Sequence, residues 1–340
     1  MWSDRPAAPR LRRLAGRLHA ILPAPRPESR GSKTPLRTTG ARTPPRPEAV
    51  AAELRGRSDV AGSAGFAWLD GGTSKSGHRL HVQPLATLAV RDGRATVSGP
   101  GGGATFAATG FDLLAAAFAA WSGAGAAATL VGYLGYELGG EIESLPAPPS
   151  DDLGLPDLQL ALYDASFHWD GRGWTLEATD AWREPITGLA GERILAAAGR
   201  RKDPEAPFAP PGSRVVSRPE RGGFEAAVAR SVERIATGEI FQMNLCRRLE
   251  AELPASDLWP FYQRLRAASP ADHGAFLDLG EGRAVASISP ELFLAVQDRA
   301  VESRPIKGTR PRGATPREDR ALARELLASE KDRAELTMIV

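Results

Sequence analysis

Three segments of strand-forming residues, Ala284–Ser289, Leu292–Gln297 and Ala300–Ile306, follow one another with two residues between each pair. Links that short join antiparallel neighbours, because a parallel pair needs a crossover of a dozen residues or more, and the spacing predicts an antiparallel meander. The last segment runs into Arg304-Pro305-Ile306-Lys307-Gly308-Thr309-Arg310. Proline fixes its own φ and biases its neighbour towards extended backbone; glycine then lets the chain turn or lets its amides approach a ligand. The arrangement suits a short strand that ends by pointing an amine into an anion-binding corner. Taken alone, a loop lysine is more often a solvated surface charge.

The composition sets the frame around that stretch. Of 340 residues, 42% are hydrophobic and 25% charged, as in soluble globular proteins, and the length allows two domains or one large one. One cysteine, Cys246, excludes an internal disulfide and suits a reducing, cytoplasmic compartment. No Cys or His residues stand at zinc-ligand spacing, and no apolar run is long enough to span a bilayer. The net charge of +2 hides an asymmetry: residues 1–50 carry 11 Lys/Arg against 3 Asp/Glu, and the remainder is acidic. A mildly acidic body and a first segment without interleaved aromatics argue against a nucleic-acid binder. They also leave no reason to expect a membrane partner.

Residues 1–50 are rich in Pro, Arg, Ala and Ser and read as a mostly disordered basic extension, with Arg10–Leu22 able to form a short basic amphipathic helix. Residues 51–201 read as an α/β mixture. Phe66–Leu69, Arg79–Val90, Asp157–Trp169 and Trp174–Thr179 are the strands, and Gly188–Arg201 is a helix. In the helix expected at Phe111–Trp121, Phe111, Leu114, Phe118 and Trp121 recur at helical spacing. Residues 202–219 hold five prolines and read as a linker to a second domain at 220–340. There Phe224, Val228, Val232 and Ile235 form one helical face that Gly238 ends, and Phe241–Leu253 reads as a strand. Pro316–Ala328 is a helix capped by Thr315, and Lys331–Val340 stops on an apolar run with no terminating signal, as if the fold were incomplete there.

Four segments in order carry a resemblance. They are Gly238-Glu239-Ile240-Phe241-Gln242-Met243-Asn244-Leu245; Ser289-Pro290-Glu291-Leu292-Phe293; the loop Arg304–Arg312; and Ser329–Glu335 with Met338-Ile339-Val340. A weaker match upstream is Gly132-Tyr133-Leu134-Gly135-Tyr136-Glu137 with Glu143-Ser144-Leu145-Pro146. Together they resemble the chorismate-utilising enzymes, and most closely the component I branch of aminodeoxychorismate synthases. Anthranilate synthases typically have alanine where Lys307 stands. The resemblance implies an α+β fold of two antiparallel sheets packed face to face with helices outside.

It also implies a chemistry. An aminodeoxychorismate synthase replaces the C4 hydroxyl of chorismate by an amino group. Glu291 matches the family's general acid for the departing hydroxide. Lys307 matches a nucleophile that attacks C2 and is later expelled by ammonia. Its amine must be neutral to attack, a state that nearby Arg304, Arg310 and Arg312 would favour; arginines beside a dicarboxylate also serve to hold it. Gly308, Thr309 and Arg304 are the expected substrate contacts. Glu335 aligns with a ligand of Mg²⁺, although an i, i+4 pair with Lys331 is the plain alternative. The family's sequence beyond Met-Ile-Val, with its second glutamate cluster, is not found here, so the 340-residue chain is expected to be inactive on its own. Cys246 lies outside any nucleophile-elbow sequence, so ammonia is expected from a separate glutamine amidotransferase subunit, component II. The alternatives are an anthranilate synthase component I and, of another class, a non-catalytic remnant or amidotransferase-binding subunit.

Overall fold

Antiparallel strands, several of them with every second residue buried, form the two large sheets of this protein. In the computed structural model residues 9–21, 32–36, 43–56, 65–72, 77–121, 128–146, 151–178, 188–200, 214–253 and 258–340 are described. The first elements are α1 (Pro9–Ile21), β1 (Ser32–Leu36), α2 (Pro47–Gly56), β2 (Ala67–Asp70), β3 (His78–His81), β4 (Ala86–Arg91), β5 (Arg94–Gly99) and β6 (Gly102–Ala107). Then come α3 (Gly110–Trp121), β7 (Thr129–Leu134), β8 (Leu158–Tyr163), β9 (Ala165–Trp169), β10 (Trp174–Ala178) and α4 (Gly188–Ala198). The rest are β11 (Val216–Arg218), α5 (Arg221–Ala236), β12 (Arg248–Glu250), α6 (Trp259–Ala268) and β13 (His273–Gly280). β14 (Arg283–Ser289), β15 (Leu292–Gln297), β16 (Ala300–Arg304), α7 (Pro316–Ala328) and α8 (Glu330–Ile339) close the chain. The chain forms two compact units, one of residues 1–204 and 265–340, the other of residues 205–264.

The first unit contains a seven-stranded sheet, β1-β10-β9-β3-β2-β13-β14, and a five-stranded sheet, β6-β5-β4-β8-β7, both antiparallel throughout. Three hairpins turn on two residues of positive φ each: Asp92-Gly93, Glu281-Gly282 and Asp298-Arg299. Such primed turns match the right-handed twist of the flanking strands. The two sheets meet face to face. Ala67, Leu69, Leu277 and Val285 from one pack against Val131, Tyr133, Ala161 and Tyr163 from the other. The Tyr163 hydroxyl satisfies itself by donating to the Gly65 carbonyl at 2.7 Å. Helices close the far side of the five-stranded sheet, where α1 and α3 share one core with Leu88, Val90 and Val97.

The described part of the first 50 residues is ordered, which corrects the expected disordered extension. In α1, Leu14, Leu18 and Ile21 are buried, and β1 pairs with β10 at the sheet edge. Arg and Pro dominate the composition, but three apolar residues at i, i+4 and i+7 suffice to seat a short helix. The two expected halves also intermix. β13 pairs with β2, so residues 273–289 complete a sheet whose other strands lie between residues 32 and 178. The linker expectation at 202–219 falls largely outside the described residues, and its end forms β11.

Local differences have simple causes. Arg79–Val90 splits into β3 and β4, in different sheets, around Pro84 and the positive φ of Gln83. Asp157–Trp169 likewise divides into β8 and β9 at buried Asp164. In α3 the buried face is Leu113, Ala116, Ala117 and Ala120, whereas Phe118 is 61% exposed. Small residues let that helix lie close to its neighbours; volume alone misled the reading. The meander breaks at Pro290, which has no N–H to donate: β14 edges the large sheet, and β15–β16 form a separate hairpin. In the second unit, the expected strand at Phe241–Leu253 is reduced to β12, which pairs with β11. Helix α5 ends as anticipated at Gly238, φ +78, with the Glu239 N–H reaching back to the Arg234 carbonyl at 3.0 Å. Its apolar face is exposed, with Val232 at 60%; periodicity tells which face is apolar, not what covers it.

Candidate active site

Hairpin β15–β16 carries the expected chemistry at its open end. Leu292 pairs with Arg304, so Glu291, one residue before, and Pro305, one residue after, leave the ladder side by side. The register shifts between Leu292 and Ala295, a bulge that bends β15 next to this end. Glu291 sits in a Ser-Pro-Glu turn in which its N–H donates to Ser289 Oγ at 3.4 Å and its carbonyl accepts from the same hydroxyl at 3.3 Å. Lys307 lies two residues beyond Pro305 and is half-buried. Among the described residues neither the Glu291 carboxylate nor the Lys307 amine is held in an ion pair.

The arginines around Lys307 are all engaged. Arg304 Nε donates to Glu302 Oε1 at 2.6 Å on its own strand. Arg312 makes a two-pronged pair with Asp319 at 2.6 and 2.8 Å. Arg310 reaches Glu325 on α7 and Asp332 on α8. Each expected source of positive field at Lys307 is therefore matched by a carboxylate, and Arg304 is exposed beside Glu302.

Gly308 has φ +74, and a Cβ there would stand 2.7 Å from Asp332 Cγ and 2.8 Å from Leu326 Cδ1. Only glycine fits the turn and the close approach at once. Thr309 is exposed, and its carbonyl accepts from Arg310 Nη1 at 3.0 Å. The helices behind this loop are locally specified. Thr315 and Glu318 form a reciprocal capping box at the start of α7, and Ser329 Oγ accepts from Asp332 N at the start of α8. Glu335 lies on α8 with its carboxylate 3.8 Å from Lys331 Nζ, the i, i+4 pair. Among the described residues no group of three or more His, Cys, Asp or Glu side chains has the arrangement of a metal site.

Two other places invite comparison. A small apolar cavity lies between the two sheets, lined by Phe66, Val131, Gly132, Tyr163 and Leu277 among others, and none of the expected site residues borders it. A buried polar cluster surrounds Asp70, which accepts from Arg266 Nε in a short hydrogen bond and lies 3.2 Å from His78 Nδ1. Burial alone would raise the Asp70 carboxyl; the hydrogen bonds from His78 and Arg266 outweigh it and hold the group below its ordinary value. Arg266 also pairs with Glu48 at 2.7 Å and stacks 5.0 Å above the Trp68 ring. The sequence reading missed this cluster, since Arg266 lies 196 residues from Asp70. Every charge in it is satisfied internally, as in a structural network.

With the loop, its helices and the two sheets in view, the comparisons with known proteins decide the family. Residues 66–340 match the family of chorismate binding enzymes. The chain belongs to that family. It is 42% identical over 220 residues to an aminodeoxychorismate synthase of Streptomyces griseus, covering 62% of this chain and 30% of that protein. It is 37% identical over 228 residues to anthranilate synthase component 1 of Thermus thermophilus, covering 62% and 46%. The structure of anthranilate synthase component I from Streptococcus pneumoniae superposes with a TM-score of 0.60 at 22% identity, covering 76% of this chain and 58% of that one. That likeness establishes the fold of antiparallel sheets with helices outside. The chain spans less than half the length of these curated relatives. No described helix is long and apolar enough to cross a membrane.

Proposed function

We propose that this chain is the chorismate-binding part of an aminodeoxychorismate synthase, which aminates chorismate at C4. The carrying observation is Lys307: a half-buried lysine, outside any ion pair among the described residues, in the loop that leaves the hairpin end where Glu291 stands. Alanine at that position would leave the loop without a nucleophile, and that is the feature that separates this reading from anthranilate synthesis. Relatives of both kinds match at comparable identity, so identity does not separate them.

In this reading the neutral Lys307 amine adds to C2 of the ring. The ring double bonds shift, the C4–O bond breaks, and the hydroxyl leaves as water with the proton of Glu291. Ammonia then adds at C4, the double bonds shift back, and the C2–N bond returns its electrons to Lys307; the incoming nitrogen loses a proton that resets Glu291. Two easier displacements replace one difficult one, and acid assistance supplies about 10²–10⁴-fold. Gly308 and Thr309 line the substrate beside Lys307. Ammonia comes from a glutamine amidotransferase partner. Glu335 would be one ligand of a Mg²⁺ ion that holds a substrate carboxylate, and among the described residues it has no further carboxylates grouped with it for that purpose. Cytoplasmic residence goes with the single cysteine.

The test is intact-protein mass spectrometry of the whole protein with chorismate and no ammonia. A mass increase on Lys307 that is absent in Lys307→Ala, with turnover in that variant down by at least about 10³-fold, is expected. With ammonia present, a product that a lyase converts to 4-aminobenzoate is expected. Fluorescent anthranilate, or full turnover by Lys307→Ala, would refute the assignment.

A further inference from the structure

Among the arginines of the Lys307 loop, Arg310 differs in what it spans. Arg304 pairs with a residue on its own strand, and Arg312, whose side chain is 88% exposed, pairs with the first turns of α7. Arg310 joins three elements with one guanidinium. Its Nε donates to Glu325 Oε1 on α7 at 2.7 Å, and its Nη1 donates to Asp332 Oδ2 on α8 at 3.3 Å and to the Thr309 carbonyl at 3.0 Å. Asp332 is only 16% exposed, Arg310 only 27%. The same Asp332 side chain packs against the α-carbon of Gly308. Asp332 therefore grips the loop at both residues that flank Thr309, one by contact and one by charge.

We propose that Arg310 is the positioning residue for Lys307, a role that rests on the function proposed above. Glycine at 308 gives the loop the turn it needs but also leaves it the most backbone freedom of any residue. A nucleophile displaced by about 1 Å loses on the order of 10²-fold in rate. Something outside the turn must remove that freedom, and the planar fork of Arg310 does so by fixing the backbone two residues beyond Lys307 to two capped helices. A lysine has one point charge and no fork, and does not reproduce the three contacts.

The test uses the intact protein with Arg310→Ala, Arg310→Lys and Asp332→Asn, and Arg320→Ala as a control on the exposed face of α7. Amide hydrogen exchange over residues 306–309 should quicken about tenfold or more in Arg310→Ala, with exchange in the middle of α7 unchanged. The rate of adduct formation and kcat should fall about 10- to 100-fold while KM for chorismate stays within about threefold. Arg310→Lys should recover only a small part, and Arg320→Ala should match the parent in every measurement. Asp332→Asn keeps the side-chain volume against Gly308 and carries the test if Arg310→Ala does not fold. Unchanged loop exchange, or a fully active Arg310→Ala beside an inactive Lys307→Ala, overturns the positioning role alone. An active Lys307→Ala overturns the proposed function, and the positioning role with it.

Discussion

The two-sheet sandwich and the segment from Ser289 to Val340 hold their charges in opposite ways. In the sandwich, Asp70 and Arg266 meet with side chains 1% and 15% exposed, beneath Trp68. In the later segment, Arg304 and Arg312 are 65% and 88% exposed, and neither α7 nor α8 has a buried residue. The first region is specified mainly by burial, as at Asp70 and Arg266. The second is specified locally, by a glycine turn, two helix caps and a set of ion pairs. The residues proposed for chemistry lie in the second. A nucleophile has to stay reachable, and local devices can hold a loop in place without enclosing it.

Breaking one charge pair in each region is the sharpest way to attack that contrast. Arg266→Ala leaves Asp70 buried without its cation and should lower unfolding free energy by about 3–5 kcal/mol. Arg312→Ala, at an exposed pair, should cost at most about 1 kcal/mol. Urea denaturation of both variants checks the difference. Equal losses would mean that exposure does not separate the two regions.

The sandwich also contains a titratable group with no counterpart in the later segment. His81 is fully buried, both ring nitrogens lack a hydrogen-bond partner, and its ring lies 5.0 Å from that of Tyr163. Burial, with the charges of His168 and Arg79, lowers its pKa to about 3 from the ordinary 6.5. The folded state therefore keeps His81 neutral where the unfolded state takes up a proton. Stability is unaffected above pH 6.5 and is lost as pH falls from there towards 3, at about 1.4 kcal/mol per pH unit. His81→Phe should flatten that part of the profile between pH 6 and 4. An unchanged acid limb would show that another group drives it.

What the sequence disclosed divides along the same line. In the later segment nearly everything was legible, because its determinants are neighbours in the chain. The Thr315 cap, the helix at Pro316–Ala328 and the strand at Leu292–Gln297 coincide with the structure to the residue. In the sandwich the strands were found but not their breaks or partners. That β13 inserts beside β2 depends on contacts some 200 residues apart, which no local pattern encodes. Residues 9–21 show the same limit from the other side. Their composition reads as a tail, but Leu14, Leu18 and Ile21 find a core that only the folded sheet provides. Lys307 was legible as a motif; the pairing of all three surrounding arginines was not, since it depends on how α7 and α8 turn back on the loop.

The smallest expected effect tests whether local specification really holds the later segment. Thr315 Oγ1 accepts from Glu318 N at 3.3 Å, and the Glu318 carboxylate accepts from Thr315 N at 3.1 Å. Thr315→Ala removes the first bond and leaves a helix N–H unsatisfied, which costs about 1 kcal/mol. Because α7 carries Glu325, fraying should pass through the Arg310 clamp to the loop, and not into the sandwich. Hydrogen exchange should quicken at the first turn of α7 and over residues 306–309 while β2, β3 and β9 keep their protection. Loss of protection in those strands as well would show that the two regions unfold as one, and that burial in the sandwich stabilises the Lys307 loop more than its own caps do.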